Sequence, residues 1–218
     1  YNASTQKSIT QTIKEGYERG LTNQQVIQQI RGTKKNNYSD GIIATNTRNA
    51  DAIVRTGMSA YTDAGKDVLA KENKDITDEW MFIATLDSRT TIGCRSFDGM
   101  RFKHTDKRAP RIPRHYRCRS IKLIVVRGID PLTGSRASKG AAGGKQVAAD
   151  ISQDAWLKRQ PKGFIEDSLN AKWREKLFSE GISIKQFFDQ VNQRPYTLEQ
   201  LKASDSKIIK AAIKSAKL

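Results

Sequence analysis

The apolar positions of the first third recur at helical spacing. Ile9, Ile13 and Tyr17 stand four apart and Gly20 follows as a stop, which predicts a first helix. Thr22 then precedes NQQVIQQIRG, with Gln25 three positions on. That is the capping-box pattern, and Val26, Ile27 and Ile30 give this second helix one apolar face. Thr33 to Asp40 is polar and reads as a loop. A longer helix is predicted over Asn46 to Glu72, where Ala50, Ile53, Val54, Met58, Tyr61, Ala64 and Leu69 keep close to a helical period. Arg48 and Arg55 fall on its solvent face.

The pattern then changes. Trp80 to Leu86 (WMFIATL) is a short apolar run with aromatic content, which suits a buried strand. TLDSRTTIGC turns after it, and Asp98-Gly99 signals a hairpin between SF and MRF. Pro110, Pro113 and Pro131 exclude a continuous helix. Ile121 to Val126 (IKLIVV) is dominated by β-branched residues and predicts a strand. Gly128 to Gly144 is rich in Gly, Ala, Ser and Lys and reads as a flexible linker. Its glycines make no phosphate loop, because no Gly-Lys-Ser/Thr closes them at a strand-to-helix junction.

Helical spacing returns in the last third around Trp156, Pro161, Phe164, Leu169, Trp173, Leu177 and Phe178. Thr197 caps LEQLKAS, and Ser204 or Asp205 starts a final helix, SKIIKAAIKSAKL, with lysines against an Ile/Ala stripe. That helix either packs on the domain or serves as a basic tail for DNA or a partner. The expected class is α+β, with mostly helical N- and C-terminal parts around a small β-rich Cys/His module. The expected divisions are a helical region 1–77, the module 78–127, a linker 128–150 and a helical region 151–218.

Composition narrows the partner. Lys and Arg number 39 against 23 acids, a net charge of +16, which favours a polyanion through counterion release. Nucleic acid comes first. A bilayer span is excluded by the lack of any run of roughly 20 apolar residues. The start YNASTQKSIT is too polar for a signal peptide, and Tyr1 in place of Met fits an excised or processed piece of a longer protein. Two cysteines make no secreted disulfide framework, so synthesis in a reducing cytoplasm is expected.

Both cysteines and both histidines fall in one stretch: Cys94, His104, His115 and Cys118. Thiolate and imidazole are zinc ligands, and these four would complete a tetrahedral Cys2His2 set holding together a module with little core of its own. Two other readings stay open, a Cys94–Cys118 disulfide and buried thiols beside hydrogen-bonded histidines. A metal-dependent endonuclease with His104 or His115 as base uses the same residues, but only Asp87, Asp98 and Asp106 supply carboxylates nearby. Cysteine nucleophile chemistry at Cys94 lacks a recognisable nucleophile turn.

The same stretch carries Arg101, Lys103, Lys107, Arg108, Arg111, Arg114, Arg117 and Arg119, followed by Lys122, with Phe102 and Tyr116 interleaved. Arginine-rich density of this kind suits bidentate phosphate contact. No recognition helix is evident, so binding is expected to be salt-sensitive and indifferent to sequence.

WMFIATLDSRTTIGCRSFDGMRF followed by PRIPRHYRCRS resembles the signature of the phage Mu F-type head morphogenesis, or minor head protein, family. Trp80, Asp87, Arg89, Thr90, Cys94, Arg95, Asp98 and Gly99 match a D-x-R-T-T-x-x-C-R-x-x-D-G core with its preceding Trp. Pro113, His115, Cys118 and Arg119 match the P-x-H-x-x-C-R pattern. The helix IVRTGMSAYTDAG is similar to the family's I-A-R-T-E helix, with Gly57 where an acid is usual. WLKRQPKGFIEDSLNAKWREKLFSEGISIKQFF is similar to the segment that often follows. The resemblance, over roughly residues 40 to 200, implies a non-enzymatic protein of a tailed phage. It would lie inside the capsid, contact the portal protein, double-stranded DNA and other capsid-internal proteins, and act in head assembly and genome packaging or ejection. The family core brings no established catalytic residues.

Overall fold

A computed structural model describes residues 3–218, apart from the side chains of Tyr17, Asn46, Asn49, Ala50, Ile53 and Val54. The apolar positions expected at Tyr17, Ala50, Ile53 and Val54 therefore lie outside the described residues. The chain is α+β and forms two compact units, Tyr1–Met58 and Ser59–Leu218, with the division inside the third helix.

The first unit holds α1 (Ala3–Glu18), α2 (Asn23–Arg31) and the start of α3 (Ile42–Glu72). The capping box at α2 is present as the sequence predicts, with Thr22 and Gln25 each accepting from the other's backbone amide. Gly16 is a packing requirement: a methyl group there would meet Val26 Cγ2 at 2.5 Å, so α1 approaches α2 only without a side chain. The polar loop is organised by Asp40, whose carboxylate accepts from the Thr33 amide at 2.8 Å, the Thr33 hydroxyl and Asn36 Nδ2.

In the second unit β1 (Glu79–Ile83) lies centrally between β3 (Arg101–Lys103) and β4 (Ile121–Val125), antiparallel to both. Trp80 pairs with Phe102 on one side and Ile124 on the other. The predicted apolar run is two strands, because β2 (Leu86–Asp87) leaves the first sheet. The break at Ala84-Thr85 has a cause. Asp98 Oδ1 accepts from Ala84 N, Arg136 donates to Ala84 O, and Thr90 Oγ1 donates to Thr85 O, so side chains replace ladder partners there.

Two expectations are corrected here. SF and MRF are not a hairpin: Ile92–Phe97 is a short, wholly buried helix, α4, and Asp98-Gly99 turns it into β3 with Gly99 at φ +75°. Nor is 128–150 a flexible linker. Ser135–Gly140 (β5) and Gly143–Ala148 (β6) form a hairpin, and β5 pairs in parallel with β2. Glycine content signals flexibility only where no backbone partner exists, and β2 supplies one.

The C-terminal part holds α5 (Gln153–Leu157), α6 (Lys162–Leu169), α7 (Lys172–Ser179), a two-strand pair β7 (Phe188–Asp189) and β8 (Arg194–Pro195), α8 (Leu198–Lys202) and α9 (Lys207–Ser215). Thr197 caps α8 with Gln200 as predicted, whereas α9 is capped by Ser206 rather than Ser204 or Asp205. One core joins these helices to β1 and α4. It includes Trp80, Phe82, Leu86, Phe97, Trp156, Leu177, Phe178 and Phe187. Ile209, Ala212 and Ile213 of α9 are buried in it, so the final helix packs on the domain. Among the described residues no helix is long and apolar enough to cross a membrane.

Candidate functional site

Thr91 caps α4 by accepting from the Cys94 amide at 3.3 Å, which sets Cys94 in the first turn with its thiol buried. The other half of the site is a tight turn in the loop between β3 and β4, where Cys118 N donates to His115 O at 3.1 Å. The two halves meet. Cys94 Sγ stands 3.4 Å from His115 Nε2 and 4.0 Å from Cys118 Sγ, and the three ligand atoms lie within 4.8 Å of one another. Both cysteines are free thiols, so the disulfide reading is not what the structure adopts.

The imidazole is oriented for this role. His115 Nδ1 lies 2.8 Å from the Tyr116 carbonyl, which can only accept, so Nδ1 carries the proton and Nε2 turns its lone pair to the sulfurs. The thiols are polarised. Cys94 and Cys118 share a hydrogen bond, and with the backbone of Arg114 and Ser120 it holds the Cys118 thiol down against its burial. The same hydrogen bond pushes the Cys94 thiol up.

Bond lengths of about 2.3 Å to sulfur and about 2.05 Å to nitrogen give tetrahedral ligand separations of about 3.8 Å (S–S) and about 3.5 Å (S–N). The observed 4.0 and 3.4 Å are close to both. Cys94, His115 and Cys118 can therefore hold a metal ion.

His104 does not join them, which corrects the expected four-ligand set. Its Nε2 is 3.2 Å from Thr77 Oγ1, whose own proton goes to the Val125 carbonyl at 2.7 Å; His104 is thus the donor and ties β3 to the sheet. Burial, and then Lys122, keep its pKa below the ordinary histidine value. Lys122 is committed too. Its ammonium is buried, pairs with Asp67 and with Asp63 at 3.4 Å, and lies 4.9 Å over the Trp80 ring.

The basic segment divides by role. Arg119 clamps the buried Asp87 carboxylate through both terminal nitrogens. Arg114 is half-buried, stacked 4.5 Å over Phe97 and 5.4 Å from the Phe188 ring. Both of these expected phosphate contacts also have partners within the fold, Arg119 while still exposed. Arg101 reaches Glu79 only at 4.0 Å, and Arg108 pairs with Asp106 at 3.6 Å while 94% exposed. Lys103, Lys107, Arg111 and Arg117 are exposed. Lys107, Arg108 and Arg111 line a groove of about 780 Å³ with Arg114 and Val191.

A buried polar network supports the site. Arg95, 1% exposed, donates to Thr90 O at 2.9 Å, to Gln153 Oε1 at 2.8 Å and to Asp87 O. Burial pushes its pKa down to about 10, still charged at neutral pH. Asp98 pairs with Arg136. Asp87, Arg95 and Asp98 were visible as motif positions. Gln153 and Arg136 were not, since nothing local marks residues 58 and 38 positions from their partners.

No curated protein and no solved structure matches this chain. A family model described as Phage Mu protein F like protein matches residues 7–122, more than half of the chain, and its span includes Cys94, His115 and Cys118. The chain belongs to the Phage Mu protein F like family.

Proposed function

We propose that this chain is a non-enzymatic minor head protein of a tailed phage. It is made in the host cytoplasm and carried in the virion interior beside the portal protein and other capsid-internal proteins. There it contacts double-stranded DNA without reading sequence, in head assembly and genome packaging or ejection. Family membership supports the head role. The observation that carries DNA contact is the loop between β3 and β4. With the adjoining strand it presents Arg101, Lys103, Lys107, Arg108, Arg111 and Arg117 to solvent on a chain of net charge +16. Zinc is the metal we assign to Cys94, His115 and Cys118, because thiolate and imidazole donors select it over oxygen-loving cations. Bound there, it would staple α4 to the 115–118 turn.

One gel tests this reading. The purified protein is mixed with linear duplex DNA at low and high salt, with and without Mg²⁺. A salt-sensitive shift with intact DNA is expected. DNA cut only with Mg²⁺, and no longer cut by His115→Ala, would replace this reading with the endonuclease. No shift would transfer the basic surface to a protein partner.

A further inference from the structure

We infer that the Cys94–His115–Cys118 centre holds its metal with one coordination position open to solvent, and that this position takes an anionic donor ligand. The inference rests on the zinc reading above. The described residues include every Cys, His, Asp and Glu of the chain, and among them only these three side chains gather at the site. His104, the one remaining nitrogen ligand, is hydrogen-bonded to Thr77. Structural zinc takes four protein ligands, whereas three leave a position for a molecule from outside.

The position is reachable and its surroundings favour an anion. Both cysteines are buried but His115 is exposed, so the metal would sit at the surface on the histidine side. Two thiolates and a neutral imidazole balance Zn²⁺ to zero charge. Arg114, whose charge the two thiols influence, and the exposed Arg117 next to Cys118 then make the charge around the centre positive. Thr91 adds a directed group. Its hydroxyl oxygen accepts from Cys94 N and lies 3.5 Å from His115 Nε2. A metal that takes the Nε2 lone pair ends that contact and frees the hydroxyl proton for the incoming ligand.

Cobalt(II) substitution tests this on the full chain. Cobalt bound by two thiolates and an imidazole absorbs in the visible through ligand-field and sulfur charge-transfer bands that report coordination. The cobalt-loaded protein is titrated with sodium azide and, separately, sodium acetate. A saturable shift of the ligand-field bands with either anion is expected, with the sulfur band retained. His104→Gln is expected to show the same spectrum and the same response. Bands that ignore both anions would overturn the open position and leave the metal reading intact. A changed cobalt spectrum in His104→Gln would also overturn it, by making His104 the closing ligand. Failure to bind cobalt or zinc would overturn both.

Discussion

Arg136 Nη2 donates to Asp98 Oδ2 at 3.1 Å, across 38 positions, with both side chains largely out of water. The pair joins the β5–β6 hairpin to the turn that follows α4, and Arg136 also donates to the Ala84 carbonyl at the break between β1 and β2. Removing the guanidinium strands a carboxylate that is 3% exposed. Breaking a buried pair from one side costs about 3–5 kcal/mol. Arg136→Ala is expected to lower the unfolding free energy measured by urea titration by an amount in that range, with a lower midpoint. An unchanged midpoint would detach the hairpin from the core.

Arg119 and Arg111 are expected to part company when mutated. Arg119→Ala leaves the buried Asp87 without its clamp and lowers thermal stability. Lys103→Gln, Lys107→Gln, Arg108→Gln and Arg111→Gln combined leave melting unchanged, since all four side chains are exposed. Binding is where the combined variant differs. Each lost phosphate contact reduces the slope of log K against log salt by about 0.9, so a reduction of about 3–4 is expected. Fluorescence anisotropy across a salt series measures it, and an unaltered slope removes this surface from DNA contact.

The metal reading predicts a chelator effect. EDTA or a stronger zinc chelator is expected to lower the melting temperature of the zinc-loaded protein. Cys118→Ser should start lower and not respond. A chelator response that persists in Cys118→Ser would place the metal elsewhere.

Asp40 gives a pH dependence in the first unit. Hydrogen bonds from the Thr33 amide, then from the Asn36 and Thr33 side chains, hold its pKa at about 2, against an ordinary 3.8. A depressed carboxyl stabilises the folded loop above its unfolded value and loses that contribution as pH falls from about 4 through 2. The carboxyl carbon shift of Asp40, followed by NMR, should titrate near 2. In Thr33→Ala, which loses the hydroxyl donor, it should titrate higher.

Much of the fold was written locally. Thr22 with Gln25 and Thr197 with Gln200 bond within three positions, so their caps were legible. The β-branched run at Ile121 to Val125 needed no distant information to favour a strand, and the Cys/Arg/Asp motif marked the positions around which the site is built. Tertiary structure decided the choices among equals. Cys94, His104, His115 and Cys118 are equivalent as ligands on paper, and only the path of the loop brings three together and leaves His104 with Thr77. Arg114 and Arg119 look like Arg111, yet one finds the Phe97 ring and the other Asp87. The Gly-rich stretch became strands because β2 offered β5 a free edge. Short-range bonds are encoded by neighbours in sequence, whereas partner choice among like side chains depends on which distant backbone arrives beside them.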